Sequence, residues 1–221
     1  MRSNAGFRCL VAVCLLLGAG AVHATSPLDP CFSTIELHAS TAPVPLFVCP
    51  QGDTESFTNQ GWWISLYISV ANNNGPAGGV PGQDIWLVGR DPVNNIVLCL
   101  GSQSSNADAP TDLDGNTTIS NSTLAGGGCG NGLAVVIQGW VISDPATGCT
   151  TDKILPINVR SPDLDGSMLV DLVDLSMFAT HFPPHAYESC SDFNLNGVVD
   201  LQDLSRFAAH FGPPGHRCGA F

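Results

Sequence analysis

Two stretches near the C-terminal end carry oxygen-bearing side chains at the spacing a hard cation requires. In the second, Asp192, Asn194, Asn196, the carbonyl of Val198, Asp200 and Asp203 stand at positions 1, 3, 5, 7, 9 and 12 of a loop. In the first, Asp163, Asp165, Ser167, the carbonyl of Leu169, Asp171 and Asp174 hold the same positions. A calcium ion collects oxygens at about 2.3–2.6 Å, and twelve residues wrapped around it present them at this alternation, the seventh through its backbone and the ninth often through water. Position 6 bends sharply and favours glycine. Gly197 supplies it in the second loop, whereas the first has Met168 there and Gly166 two residues early. A methionine at the bend costs on the order of 1 kcal/mol or more, so the first loop is expected to be the more distorted. Its four carboxylates, against three in the second, partly offset that in attraction for a cation.

These loops belong to a repeat. Asp163 to Pro184 aligns with Asp192 to Pro213 at an offset of 29, with Val, Asp, Leu, Asp, Leu, Ser, Phe, Ala, His and Phe matching in order after the first Asp. After each loop the apolar residues fall at helical spacing: Leu172, Leu175, Phe178, Ala179 and Phe182, then Leu201, Leu204, Phe207, Ala208 and Phe211. Pro183-Pro184 and Gly212-Pro213-Pro214 stop the helices. Neither helix can bury its stripe alone, so the two are expected to pack together, antiparallel and related by a pseudo-twofold axis, with Val199 meeting its counterpart Val170. His181 and His210 sit near the helix ends, where interaction with the C-terminal dipole explains them better than zinc.

Aspartate rather than glutamate at position 12, no helix before either loop, and two copies within about sixty residues together resemble the dockerin family. The resemblance covers Pro162 to about Gly212. It implies that each loop binds Ca2+, that folding depends on the metal, and that the unit docks onto a cohesin domain. It also implies a setting in polysaccharide degradation. Many dockerins carry Ser-Thr at loop positions 10 and 11 to contact cohesin; here those positions hold Leu172-Val173 and Leu201-Gln202.

The rest of the chain sets the context. Arg2 and Arg8, the apolar run Cys9 to Val22, and Val22-His23-Ala24 make a cleavable export signal, with the mature chain beginning at Thr25. About fourteen apolar residues fall short of the roughly 20 that span a bilayer, so no stable membrane insertion is expected and the protein reads as secreted, extracellular or cell-surface associated. A net charge of -12, from 19 acidic and 7 basic residues among 221, excludes nucleic acid as a partner. After the signal, Cys31, Cys49, Cys99, Cys129, Cys149, Cys190 and Cys218 remain, with no CxxC pair, which in an exported chain points to disulfides. The odd count leaves one cysteine over. Cys190 and Cys218 bracket the final repeat and are the expected pair.

Residues 26–160 alternate apolar, β-branched runs with turn clusters. Expected strands are Thr34–His38, Trp63–Val70, Asp84–Val88, Ile96–Leu100, Leu133–Ile142 and Ile154–Val159. Turns are expected at Asn72-Asn73-Asn74-Gly75, Asp114-Gly115 and Gly126-Gly127-Gly128. Asp112 and Asp114 fit a hairpin turn better than a further calcium site. Gly82 to Leu87 followed by Thr111-Asp112-Leu113-Asp114-Gly115 resembles bacterial immunoglobulin-like domains of the invasin and intimin type, which implies a sandwich used for spacing or adhesion. Trp62, Trp63, Trp86 and Trp140 are expected mainly in its core, although the first two must point to opposite faces of a strand. No Ser-His-Asp set or metal-hydrolase cluster stands out, and His38 is the only mature histidine before residue 181.

The sequence therefore reads as a multi-module, non-enzymatic chain: signal peptide 1–24, all-β immunoglobulin-like sandwich 25–160, and a small all-α dockerin-like module 161–221 with two EF-hand-like calcium loops. Its function is attachment through a cohesin-like partner or the cell surface. The alternative is an adhesive or carbohydrate-binding sandwich, with polysaccharide as ligand, for which the calcium module is a stabilising cap.

Overall fold

The computed structural model describes residues 27–40, 42–50, 61–71, 74–90, 96–99, 105–120 and 124–211. The export signal, Cys218 and the Gly212-Pro213-Pro214 stop lie outside them. Within them the chain is rich in β-structure with two α-helices. The first strands are β1 (Leu28–His38), β2 (Val44–Phe47), β3 (Trp63–Val70), β4 (Ile85–Gly89) and β5 (Val97–Leu98). Then follow β6 (Asn116–Ile119), β7 (Gly126–Gly127), β8 (Leu133–Ile137), β9 (Trp140–Val141) and β10 (Ile157–Arg160), and finally α1 (Leu172–His181) and α2 (Leu201–His210).

Strand β3 lies between β1 and β6, antiparallel to both, and β8 lies between β4 and β9. Strand β2 pairs in parallel with β10, and β5 pairs antiparallel with β7. Period-two alternation sends Ile64, Leu66 and Ile68 inward from β3, while Trp63, Ser65 and Tyr67 face out. The inward set joins Leu46, Ile85, Leu87, Ile119, Val135 and Ile157 in one apolar core. Every residue of β8 is buried, as expected of a strand covered on both faces.

Several expected elements change form. Leu133–Ile142 is a hairpin rather than one strand: Gln138 and Gly139 have φ of 48° and 88°, the primed two-residue turn that suits strand twist. Gly126-Gly127 is buried strand rather than turn. A Cβ on Gly126 would stand 2.6 Å from the carbonyl oxygen of Val97, so glycine is there for close approach. Asp112 does make a turn, accepting from the amides of Asp114 and Asn116 at 3.0 and 2.8 Å. The tryptophans are mostly not core: Trp62 is buried, Trp86 half-buried, and Trp63 and Trp140 are 40% and 70% exposed.

The cysteine expectation is corrected as well. Cys190 bonds Cys129 (Cα separation 5.6 Å), and Cys31 bonds Cys149 (5.4 Å). Cys99 is also disulfide-bonded, and Cys49 is buried. Cys190 meets Cys129 because the repeat region seats directly on the β-rich region: the Gly128 amide donates to the Asp163 carbonyl at 2.6 Å, and Ser161 is wholly buried.

A second apolar cluster joins both repeats. Phe178 stacks on Phe207 (centroids 5.6 Å) and Phe193 (5.7 Å), with Leu164, Val170 and Val199 buried beside them. The expected shared core of the two helices is present, but it is not self-contained. Phe47 at the end of β2 belongs to it, edge-on to Phe193 at 5.9 Å, with the Arg206 guanidinium 5.6 Å from its ring centroid. Truncating a buried phenylalanine costs about 3–5 kcal/mol. Phe47→Ala is therefore expected to lower stability to urea by about that amount, although it lies 116 residues before the first loop residue, Asp163.

Candidate metal centre

Each loop folds around its first and last aspartates. Asp163 accepts from the amides of Ser167 (3.0 Å) and Met168 (2.8 Å), and Asp192 likewise from Asn196 (3.1 Å) and Gly197 (2.8 Å). Asp174 accepts from Leu164, Asp165 and Asp171, and Asp203 from Phe193, Asn194 and Asp200, at 2.7–3.2 Å. The two patterns are the same at an offset of 29. Three amide donors on one carboxylate fix both its oxygens and favour its charged form.

The helices begin at the same residues. Asp171 caps α1 by accepting from Val173 at 2.7 Å, and Asp200 caps α2 by accepting from Gln202 at 2.7 Å. In both, the aspartate three residues after the cap, Asp174 or Asp203, accepts from the cap residue's amide, completing a reciprocal capping box. Position 12 thus ties loop closure to helix initiation.

The first loop brings Asp163, Asp165 and Asp174 together, with ligand oxygens within 4.8 Å of one another. Asp171 is not among them; its carboxylate serves the helix cap. Ser167 Oγ donates to the Leu169 carbonyl at 3.3 Å, so the ligands expected at positions 5 and 7 are neighbours. In the second loop Asn194 and Asn196 stand where the first has Asp165 and Ser167. Their Oδ1 atoms accept from Asn196 and Val198 amides at 3.0 and 2.8 Å.

Distortion is shared rather than confined to the first loop. Both loops have left-handed backbone at positions 4 and 6: Gly166 (φ 71°) and Met168 (66°) in the first, Leu195 (58°) and Gly197 (89°) in the second. Each loop therefore has glycine at one bend and a side chain at the other. Gly166 is not misplaced; it fills a second bend that the position-6 rule does not mention.

Asp163, Asp174 and Asp203 are fully buried and Asp192 nearly so. The ion pairs of the described residues, Arg90–Asp152 and His38–Glu36, lie in the β-rich region, away from these carboxylates. Burial pushes the Asp163 carboxyl up to about 7 against the pull of the Met168 amide, with Asp165 and Asp174 raising it further. Burial also raises Asp174. Asp165, whose slight burial acts upward, is held low by the Ser167 hydroxyl and amide. Crowded, buried carboxylates with fixed orientation are the donor set a hard divalent cation takes, and these residues fit Ca2+.

Residues outside the motif complete the setting. Tyr187 OH donates to Asp192 Oδ2 at 2.9 Å. Arg160, 4% exposed, donates to the carbonyls of Val159 and Gly130 at 2.8 and 3.2 Å; burial lowers its pKa while Tyr187, Asp192 and Glu188 work to raise it. A Cβ on Gly127 would overlap the Asp163 carboxylate. Spacing alone signals none of these three, since their link to the loops is tertiary. No family model, curated protein or solved structure matches the chain.

Asp163 has a folded pKa above its unfolded value of 3.8, so without metal its contribution to stability is full below that value and is lost as pH rises through about 7. In chelator the melting temperature is expected to fall between pH 5 and pH 8, and Asp163→Asn to flatten that fall; a melting series checks both. Left-handed backbone costs a non-glycine residue roughly 1–2 kcal/mol. Met168→Gly and Leu195→Gly are each expected to stabilise the calcium-saturated protein by about 1 kcal/mol in urea unfolding.

Proposed function

We propose that this chain is a secreted, non-catalytic protein whose C-terminal repeat is a dockerin-like unit binding two calcium ions, joined to an immunoglobulin-like sandwich. The observation that carries it is the matched pair of loops, each aiming buried, amide-anchored carboxylates inward with no salt-bridge partner among the described residues. Calcium supplies the missing charge, orders both loops and lets the helices that start from Asp171 and Asp200 pack through Phe178 and Phe207.

The ordered unit attaches the sandwich to a cohesin-like partner or a cell surface. Supporting this, Leu172 and Leu201, at loop position 10 of each repeat, are both 71% exposed, and Val173 beside Leu172 is exposed too. Leucines at matched positions on a pseudo-symmetric pair offer an apolar contact in place of a Ser-Thr one. The sequence offers no nucleophile–base set, which supports a binding role over a catalytic one.

Calorimetric titration of the metal-free mature chain, residues 25–221, tests the calcium reading. Two ions bound, with a melting temperature that rises with calcium concentration as mass action requires, is the expected result. One ion would leave a single working loop, and none at millimolar calcium would overturn the reading. Attachment is checked by capture on immobilised cohesin domains. Capture should occur in calcium, vanish in chelator, and fall at least tenfold in the Leu172→Asp/Leu201→Asp double variant.

A further inference from the structure

The outer face of the β1–β3–β6 sheet carries a groove of about 630 Å³, far from the calcium loops in sequence. Strand register explains its lining. Trp63, Ser65 and Tyr67 point outward from β3; Glu36 and Thr34 lie opposite Ser65 and Tyr67 on β1, and Thr118 and Asn116 opposite the same two on β6. Trp63 and Tyr67 are four residues apart on one face, about 13 Å at strand rise. Their rings lie along the groove with hydroxyls, an amide and a carboxylate on either side.

The aromatic surface is held in place. The His38 ring stacks on Trp63, centroids 3.9 Å apart and planes 15° from parallel, and His38 Nε2 is 2.8 Å from Ser65 Oγ. An exposed tryptophan fixed by a neighbouring ring is a preorganised binding surface, whereas a loose one would lose side-chain entropy on contact.

The lining selects among ligand classes. Glu36 and Asp112 line the groove and neither lysine nor arginine does, so an anionic ligand would meet repulsion. A wholly apolar ligand would strip water from the Glu36 and Asp112 carboxylates and the Thr34 hydroxyl and give nothing in return. A peptide joining the sheet would need unpaired strand edges, but the groove lies over the face, where β3 is paired on both sides. A ligand with flat apolar faces for stacking and hydroxyls around its rim satisfies every group present. We infer that this groove binds a neutral oligosaccharide chain, running along β3 across Trp63 and Tyr67. Its volume lies within the usual range of small-ligand sites.

This inference is independent of the calcium loops. The test uses the mature chain in calcium, with cellohexaose, xylohexaose and mannohexaose as probes, followed by calorimetry and tryptophan fluorescence. At least one probe should bind with a change in tryptophan emission, and Trp63→Ala and Tyr67→Ala should each weaken that binding at least tenfold. Trp140→Ala, on exposed β9 away from the groove, should leave it unchanged. Should Trp63→Ala melt at a lower temperature, Glu36→Ala, at an exposed position, gives the second reading and should weaken binding several-fold. Binding to none of the three probes would overturn the inference. So would binding that survives Trp63→Ala and Tyr67→Ala, or a preference for polygalacturonic acid. A chain that binds a probe but takes up no calcium would sink the loop reading and spare this one.

Discussion

Four buried aspartates, Asp163, Asp174, Asp192 and Asp203, have no salt-bridge partner among the described residues. Burying a lone carboxylate costs several kcal/mol, and amide hydrogen bonds recover only part of that cost. The local structure of residues 161–211 follows from meeting it. Loop amides turn inward because Asp163 and Asp192 need donors. The helices start where they do because Asp174 and Asp203 reach back to the cap amides of Asp171 and Asp200. The charge left over is what a divalent cation would satisfy, and the raised pKa of Asp163 expresses the same demand in protons.

The same constraint reaches the β-rich region. Asp163 lies so close to β7 that only glycine fits at 127, and its carbonyl is held by the Gly128 amide. The Cys129–Cys190 disulfide fastens the next turn of chain to the same strand region, and Phe47 closes the aromatic cluster from β2. The short Arg160-Ser161-Pro162 connection is buried rather than a flexible tether. Order in the loops and order at this end of the β-rich region therefore depend on each other.

How much of this the sequence revealed depended on whether the cause was local. The two loops and helices were legible because oxygen spacing and the 3.6-residue stripe are written within twelve to twenty residues. Strands β1, β3 and β4 were legible from alternation. Gly126-Gly127-Gly128 misled because glycine required by close approach looks the same as glycine required by a turn. Cys190 pairs with Cys129 rather than its sequence neighbour because the partner is set by docking. Trp63 and Trp140 face solvent although tryptophan ordinarily reads as core, and only the register of β3 against β1 and β6 shows what Trp63 lines.

Where the repeats differ, the differences follow the docking. Phe193 corresponds to Leu164, Arg206 to Met177 and Leu195 to Gly166 at the offset of 29. The second-repeat members of these pairs are the ones beside β2: Phe193 and Arg206 pack on Phe47, and Leu195 lines the small cleft beside Pro45 and Leu46. Both repeats touch the β-rich region, the first through Asp163 at Gly127 and Gly128, but at these three positions it is the second repeat that makes the contact, and there the side chains differ. Leu172 and Leu201 remain identical and equally exposed, because neither is used by the seat. The fold thus divides the repeat in two. The three diverged pairs named above hold it to its own chain, and the matched leucines at the start of each helix face outward.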